Sequence, residues 1–384
     1  GYYYSFNNKT PLPGIGNSSI GNLDLKWETT DQTNVGLDLE LFSGRIALTV
    51  DWYNKKTRDL LLNASIPYTS GYSKIYKNVG SIRNRGWEFS LSTVNIAARN
   101  FRWTSDFNIS FNKNRILSLN DDETRLLTAV TQGWEMSKVN LYMAEVGSSA
   151  AQFIGLIWDG VYNYDDFNLV GDKYVLKSDR AANGSARDMI QPGDIKYRDV
   201  DGDGTITDKD VVVIGRALPI HIGGFNNNFT WGRFNLNVFF QWSYGNDVMN
   251  ANRIYLEGNQ TNRPALNQFK SYADRWTPEN SDSKMFRAGG QGPVGFYSSR
   301  TLEDGSFLRL KTLQLSYNLS ARACRYIGVQ NLSVYVSGQN LFTWTDYSGM
   351  DPEVSVRNSA LTPGFDYSAY PRSRTYVFGV KVTF

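Results

Sequence analysis

The strongest pattern in the chain is alternation with a period of two. From Phe101 to Asn112, Phe101, Trp103, Phe107, Ile109 and Phe111 alternate with Arg102, Thr104, Asp106, Asn108, Ser110 and Asn112, the signature of a strand with one apolar and one wet face. The same pattern returns at Arg233–Gly245, where Phe234, Leu236, Val238, Phe240, Trp242 and Tyr244 share a face. Less regular copies run over Asp31–Phe42, Arg45–Thr57, Arg85–Ile96, His221–Thr230, Phe307–Asn318, Asn331–Leu341 and Ser373–Phe384. Together they predict an all-β fold of about ten strands. Strands of soluble domains are usually about 5 to 6 residues long, whereas a tilted strand crossing a bilayer needs roughly 9 to 11. The segments are of the second kind, so they predict an antiparallel transmembrane β-barrel.

The connections give an independent test, because outer-membrane barrels have short periplasmic turns and long outer loops. Ser43-Gly44, Ala97–Asn100, Trp231-Gly232 and Leu319–Gln330 are short, and they alternate with the longer stretches Arg58–Asn84, Lys113–Ile220, Asn246–Ser306 and Phe342–Arg372. The chain closes on a row of Tyr376, Phe378, Val380, Val382 and Phe384, opposite Thr375, Val377, Gly379, Lys381 and Thr383. That is the form expected of a strand with lipid on one side and a lumen on the other. A soluble β-sandwich or carbohydrate-binding module also alternates, but it rarely sustains so many long strands.

Composition narrows the chemistry. A net charge of +3 from 40 Lys and Arg against 37 Asp and Glu favours no nucleic acid. One His and one Cys exclude a disulfide framework, a His/Cys zinc site and most nucleophilic triads. Signatures of phosphate loops, dinucleotide turns and nucleophile elbows are absent. No catalytic residue is assigned. A carboxylate glycosidase would need two acids set across a cleft, and no such constellation stands out. His221 reads as a polar residue at the rim or in the lumen, and Cys324 as a small, half-buried residue of the Leu319–Gln330 turn.

One acidic run does carry chemistry. Asp199, Asp201 and Asp203 occupy positions 1, 3 and 5 of a twelve-residue stretch, with Gly204 at 6, Ile206 at 8 and Asp210 at 12. Alternate side chains can then aim oxygens at one centre while the glycine allows the sharp turn. The expected ligands are Asp199, Asp201, Asp203, the Thr205 carbonyl and Asp210, holding Ca²⁺ (or Mg²⁺) in a structural role. Thr207 could hold a water. Position 12 is Asp and not Glu, which leaves the choice of metal open. The flanks Ile195-Lys196-Tyr197 and Val211-Val212-Val213-Ile214 favour extended structure, so the site belongs to a loop and not to a helix pair.

Several ordered blocks carry a resemblance: Leu25-Lys26-Trp27-Glu28-Thr29-Thr30, Asp51-Trp52-Tyr53-Asn54-Lys55-Lys56-Thr57, Asn78-Val79-Gly80-Ser81-Ile82, Gly193-Asp194-Ile195-Lys196-Tyr197, Arg275-Trp276-Thr277-Pro278-Glu279-Asn280, Leu308-Arg309-Leu310-Lys311, Ser337-Gly338-Gln339-Asn340-Leu341-Phe342 and the closing strand. With these the chain resembles the C-terminal part of SusC/RagA-type TonB-dependent outer-membrane transporters. The resemblance implies a 22-stranded barrel with an N-terminal plug, of which this chain would supply about ten strands. It also implies a SusD-type lipoprotein lid, energy from TonB, oligosaccharide or peptide cargo, and contact with membrane lipid and lipopolysaccharide in a Gram-negative outer membrane. No plug and no TonB motif are found in the sequence, so a longer protein is expected. The region 113–220 becomes a long extracellular loop holding the acidic run at 199–210. Trp134, Trp158, Tyr162 and Tyr164 lie in it and could stack on sugar rings, although packing within the loop is the simpler role for each. The alternative from another class is a soluble calcium-dependent carbohydrate-binding or adhesion module.

Overall fold

In the computed structural model, residues 2–4, 12–14, 21–65, 74–78, 80–119, 123–130, 139–258, 266–293, 297–355 and 361–384 are described. Nine long strands carry the alternating pattern: β1 (Thr29–Leu41), β2 (Ile46–Arg58), β3 (Ser81–Ala97), β4 (Phe101–Ser118), β5 (His221–Trp231), β6 (Phe234–Tyr244), β7 (Phe307–Asn318), β8 (Asn331–Thr345) and β9 (Thr375–Thr383). They form one antiparallel sheet in which every strand pairs with its neighbours in sequence. Each of the nine alternating segments falls on one of these strands. Among the described residues the sheet thus has nine strands, where about ten were expected.

Register turns the alternation into two surfaces. Leu39, Leu48, Leu91, Phe107, Phe225, Phe240, Leu310 and Phe342 lie directly opposite one another in a row that crosses eight strands. One residue away, Asp38, Thr49, Ser90, Asn108, Gly224, Gln241, Arg309 and Thr343 form the matching row on the other face. A slip of one residue would exchange the two surfaces completely, so the pattern itself pins the register. The apolar face is uncovered by the rest of the chain, its side chains ranging from half-buried among their neighbours to open, as at Leu315, Val336, Phe378 and Val380. That exposure suits lipid and not water.

The strands run past the predicted limits at the long-loop end. β4 continues to Ser118 and β3 begins at Ser81. Apolar alternation stops where the lipid stops, but the backbone ladder does not, so periodicity underestimates such strands. The region expected to leave the sheet at Lys113 therefore leaves it after Ser118. At the opposite end the turns are short, and the 319–330 connection folds into a helix, Ala321–Tyr326, capped by the Ser320 hydroxyl, which accepts from the Ala323 N–H. Cys324 lies inside this turn fully buried, at 1% exposure, and not half-buried as expected.

Many polar positions of the wall are satisfied locally. On the inner face Asn237 donates from Nδ2 to Asn226 Oδ1 at 2.6 Å and to Asn228 Oδ1 at 2.7 Å. Asn112 and Asn114 both donate to Asn84 Oδ1. Ser105 and Asn227, which sit opposite each other, are polar residues on the apolar face, in one row with Thr93. The Ser105 hydroxyl and the Trp103 indole N–H both donate to Asn227 Oδ1, at 2.7 and 3.0 Å, so the interruption leaves no unmet group on that oxygen.

Candidate functional site

The buried core of the described residues lies above the sheet, in the long loops. Within the loop between β4 and β5, Arg125–Ala129, Asn140–Glu145, Gln152–Gly155 and Val212–Arg216 form a small four-stranded sheet. Its Tyr142 and Phe153 pack with Met249, Tyr255, Tyr297 and Phe365, which come from two other long loops. The Tyr142 hydroxyl donates to the Pro363 carbonyl at 2.7 Å, and Met249 pairs in parallel with Phe365. Three loops distant in sequence thus fold as one cap.

Charge reinforces that cap. Arg300 and Glu257 form a buried ion pair at 2.5 Å, and Arg253 bridges Glu257 and Glu303. Arg309, on the inner face of β7, is held by Asp351 and Glu353 of the last long loop, each at 2.6 Å. Burial raises the Asp351 carboxyl, but the Glu353 and Arg372 N–H groups and the Arg309 guanidinium outweigh it and leave the group below the usual range. Between cap and wall lies a hollow of about 640 Å³, lined from the wall by Asn108, Gly224 and Gln241 and from the last loop by Glu353, Val354 and Pro363. Its walls combine amide, carboxylate and apolar surface, the mixture that suits a neutral polar solute.

The acidic run sits on the cap. Asp199, Asp201 and Asp203 bring one carboxylate oxygen each to within 4.8 Å of one another. Gly204 has φ +84° and Gly202 φ +77°, the left-handed region that glycine enters without cost. The turn is held from inside: Asp199 accepts from Gly202 N–H and Gly204 N–H, at 2.7 and 2.8 Å. Those bonds, the one from Gly204 foremost, hold the Asp199 carboxyl below the usual range. Ile206 is buried against Leu156, Ile195, Tyr197 and Phe286, and its N–H donates to the Ala182 carbonyl. Thr205 lies beside it, bridged to Ala182.

Asp210 stands outside the group of three. It is fully buried and accepts from the Val200 and Thr207 N–H groups, each at 2.8 Å, closing the ends of the loop and capping the 3₁₀ turn Asp208–Asp210. Sequence spacing alone hides this second use of a carboxylate. Both flanks are extended, as expected, at Ile195–Tyr197 and Val212–Arg216.

Of the four loop aromatics, Trp134 lies outside the described residues. Tyr162 is fully buried and its hydroxyl donates to the Ala181 carbonyl at 2.6 Å, so it packs the loop. Trp158 is half-buried against the Leu156 cluster. Tyr164 stays partly exposed beside Tyr174 and Trp276, with ring centres 5.3 and 5.6 Å away. His221 belongs to the outer rim, but on the apolar face and not in the lumen: it lies between Phe111 and Tyr244 and accepts the Trp242 indole N–H at Nδ1. With Trp52 and Trp87 it continues a cross-strand row of rings where an interfacial girdle belongs. Neighbours in register, not its own sequence context, decide its place.

Residues 1–208 match the family model described as TonB dependent receptor-like, beta-barrel. Among curated proteins, the chain is 36% identical to TonB-dependent receptor P26 of Formosa agariphila, over 98% of this chain and 37% of that protein. It is 28% identical to TonB-dependent receptor SusC of Bacteroides thetaiotaomicron, over 94% of this chain and 32% of that one. Among solved structures, the RagAB peptide transporter superimposes with a TM-score of 0.78 at 25% identity, covering 100% of this chain and 38% of that one. The chain therefore spans little more than a third of the length of the relatives it matches. Apolar outer face, joined loops and family match agree, and the chain belongs to the TonB-dependent receptor β-barrel family, of the SusC/RagA type, placed in the outer membrane.

Proposed function

We propose that this chain is the C-terminal part of a longer transporter that imports oligosaccharides or peptides with energy from TonB, under a SusD-type surface lipoprotein. The observation that carries the reading is the joined cap. Three long loops share one core above a polar inner wall, which gives a lid protein a shaped surface to dock on and leaves a hollow beneath it. Plug and TonB contact would come from other segments of the longer protein. Peptide is the cargo named for RagAB; the amide-rich wall suits either cargo. A soluble calcium-dependent glycan-binding module does not account for the exposed apolar face.

The test uses the full-length transporter, tagged in its own membrane. Co-isolation of a surface lipoprotein, and uptake of labelled oligosaccharide or peptide that stops when TonB is deleted, is the expected result. Uptake indifferent to TonB would sink the reading.

The 199–210 loop is proposed to hold Ca²⁺ or Mg²⁺ as a structural ion, with Asp199, Asp201 and Asp203 as its carboxylate ligands, the Thr205 carbonyl beside them and Asp210 closing the loop. Support comes from the convergence of the three carboxylates and from the two left-handed glycines. Binding to the folded form alone would stabilise it in step with metal concentration. Calorimetry with calcium on the full-length protein and on an Asp201→Ala/Asp203→Ala variant decides the matter; equal, negligible heats from both would end the proposal.

A further inference from the structure

The wall side of the hollow beneath the cap is built around a glycine. Asn108 of β4, Gly224 of β5 and Gln241 of β6 lie directly opposite one another on the inner face. On β6 that face is otherwise polar, with Asn235, Asn237, Gln241 and Ser243, but Phe239 stands among them. Gly224 makes room for the ring. A side chain there would begin 3.0 Å from Phe239 Cε2 and 3.3 Å from the Asn108 amide nitrogen, so ring and amide both lean over the bare backbone. Phe239 is left half-buried, with part of its surface open to the hollow.

The amides at this place differ from others on the wall. Asn226, Asn228 and Asn237 are linked by hydrogen bonds, and so are Asn84, Asn112 and Asn114. Among the described residues the side-chain amides of Asn108 and Gln241 bond to no other protein group. Each keeps two donors and an acceptor for a solute. Charge is excluded as firmly as polarity is offered. Among the residues that line the hollow, Glu353 is the one ionisable side chain, and its carboxylate is held by Arg309 at 2.6 Å and Arg372 at 3.2 Å. A charged solute would find no unpaired partner there, and burying a charge without one is unfavourable. Nor is there a free strand edge to bind an extended peptide, since β4, β5 and β6 are each paired on both sides.

We propose that this hollow is a subsite for an uncharged sugar ring, whose C–H face lies on Phe239 and whose hydroxyls bond to the Asn108 and Gln241 amides. Its volume of about 640 Å³ is that of an ordinary small-molecule site. The inference rests on the transport reading and narrows its cargo: the wall as a whole suits sugar or peptide, but this hollow selects against charged sugars and against peptides with their charged ends.

An array of neutral oligosaccharides, uronate and sulfated oligosaccharides, and mixed-sequence peptides tests it, probed with the full-length transporter isolated in detergent from its own membrane. The expected result is binding of neutral oligosaccharides. Titration calorimetry with the tightest of these should then show affinity falling about tenfold in Phe239→Ala and in Asn108→Ala/Gln241→Ala. Phe239→Leu keeps apolar bulk without a ring face and should weaken binding as well. Gel mobility before and after heating confirms folded barrels, and Phe239→Leu and the single amide variants carry the test if a harsher variant fails to fold. Binding confined to acidic glycans or peptides overturns the proposal, and so does neutral-glycan binding that the folded variants leave unchanged, or no binding. Any of these with TonB-dependent uptake intact leaves the transport reading standing, whereas uptake indifferent to TonB sinks that reading itself.

Discussion

The indole of Trp276 lies against the backbone of Gly193, in the place a side chain would occupy, and Gly193 itself has φ +87°. Trp276 is 6% exposed and donates from Nε1 to Asn163 Oδ1 at 3.2 Å. Two sequence blocks more than eighty residues apart are thereby pressed together. Gly193→Ala adds a methyl that must displace the ring and forces a left-handed alanine. The expected loss is about 1 to 3 kcal/mol in thermal unfolding of the full-length protein in detergent. Gly171→Ala, with φ +62° in open space, carries the backbone strain alone and should lose clearly less.

The Arg300–Glu257 pair is buried on both sides, at 5% and 4% side-chain exposure. Glu257→Gln leaves Arg300 charged in a place where burial already opposes its charge. Breaking such a pair costs about 3 to 5 kcal/mol, and limited proteolysis should show the cap opening before the sheet. Asp159→Asn removes the exposed partner of Arg198 at 4.0 Å and should cost about 1 kcal/mol or less.

Neighbouring positions on β7 separate the two faces. Leu315 lies opposite Leu236 and Val336 on the apolar side, while Gln314 lies opposite Asn237 and Ser337 on the polar side. Leu315→Arg places a cation in lipid at a cost of roughly 2 to 4 kcal/mol. Gln314→Arg should leave urea unfolding from bilayers nearly unchanged. Equal effects from the two would contradict the assignment of faces.

Alkaline stability has a named contributor. Burial pushes the Tyr197 hydroxyl up to about 12, with Arg300 and Ser298 opposing. An unfolded tyrosine ionises near 10, so between those values the folded form holds the proton that the unfolded chain has lost. Stability from Tyr197 is complete below about pH 10 and is lost as pH rises toward 12. Burial also raises Tyr162 and Tyr347, so Tyr197→Phe should flatten the decline of unfolding free energy with pH without abolishing it. An unchanged slope in the variant refutes the attribution.

Strands β1 to β9 were legible because lipid on one side and water on the other write a period of two directly into the residue types. The acidic loop was legible for a similar reason, since the turn that brings Asp199, Asp201 and Asp203 together is set by residues within one twelve-residue stretch. The cap was not: Phe365 meets Met249 and Tyr297 through contacts that no local pattern encodes. His221 shows the same limit on a smaller scale. Its own neighbours Ile220 and Ile222 say nothing of Phe111 and Tyr244, which register brings to its two sides.

The amides of the inner wall are already partly occupied. Asn226, Asn228 and Asn237, like Asn84, Asn112 and Asn114, already spend hydrogen-bonding capacity on one another. Such a surface is wetted by water, yet each of these amides has less hydrogen-bonding capacity left for a further partner.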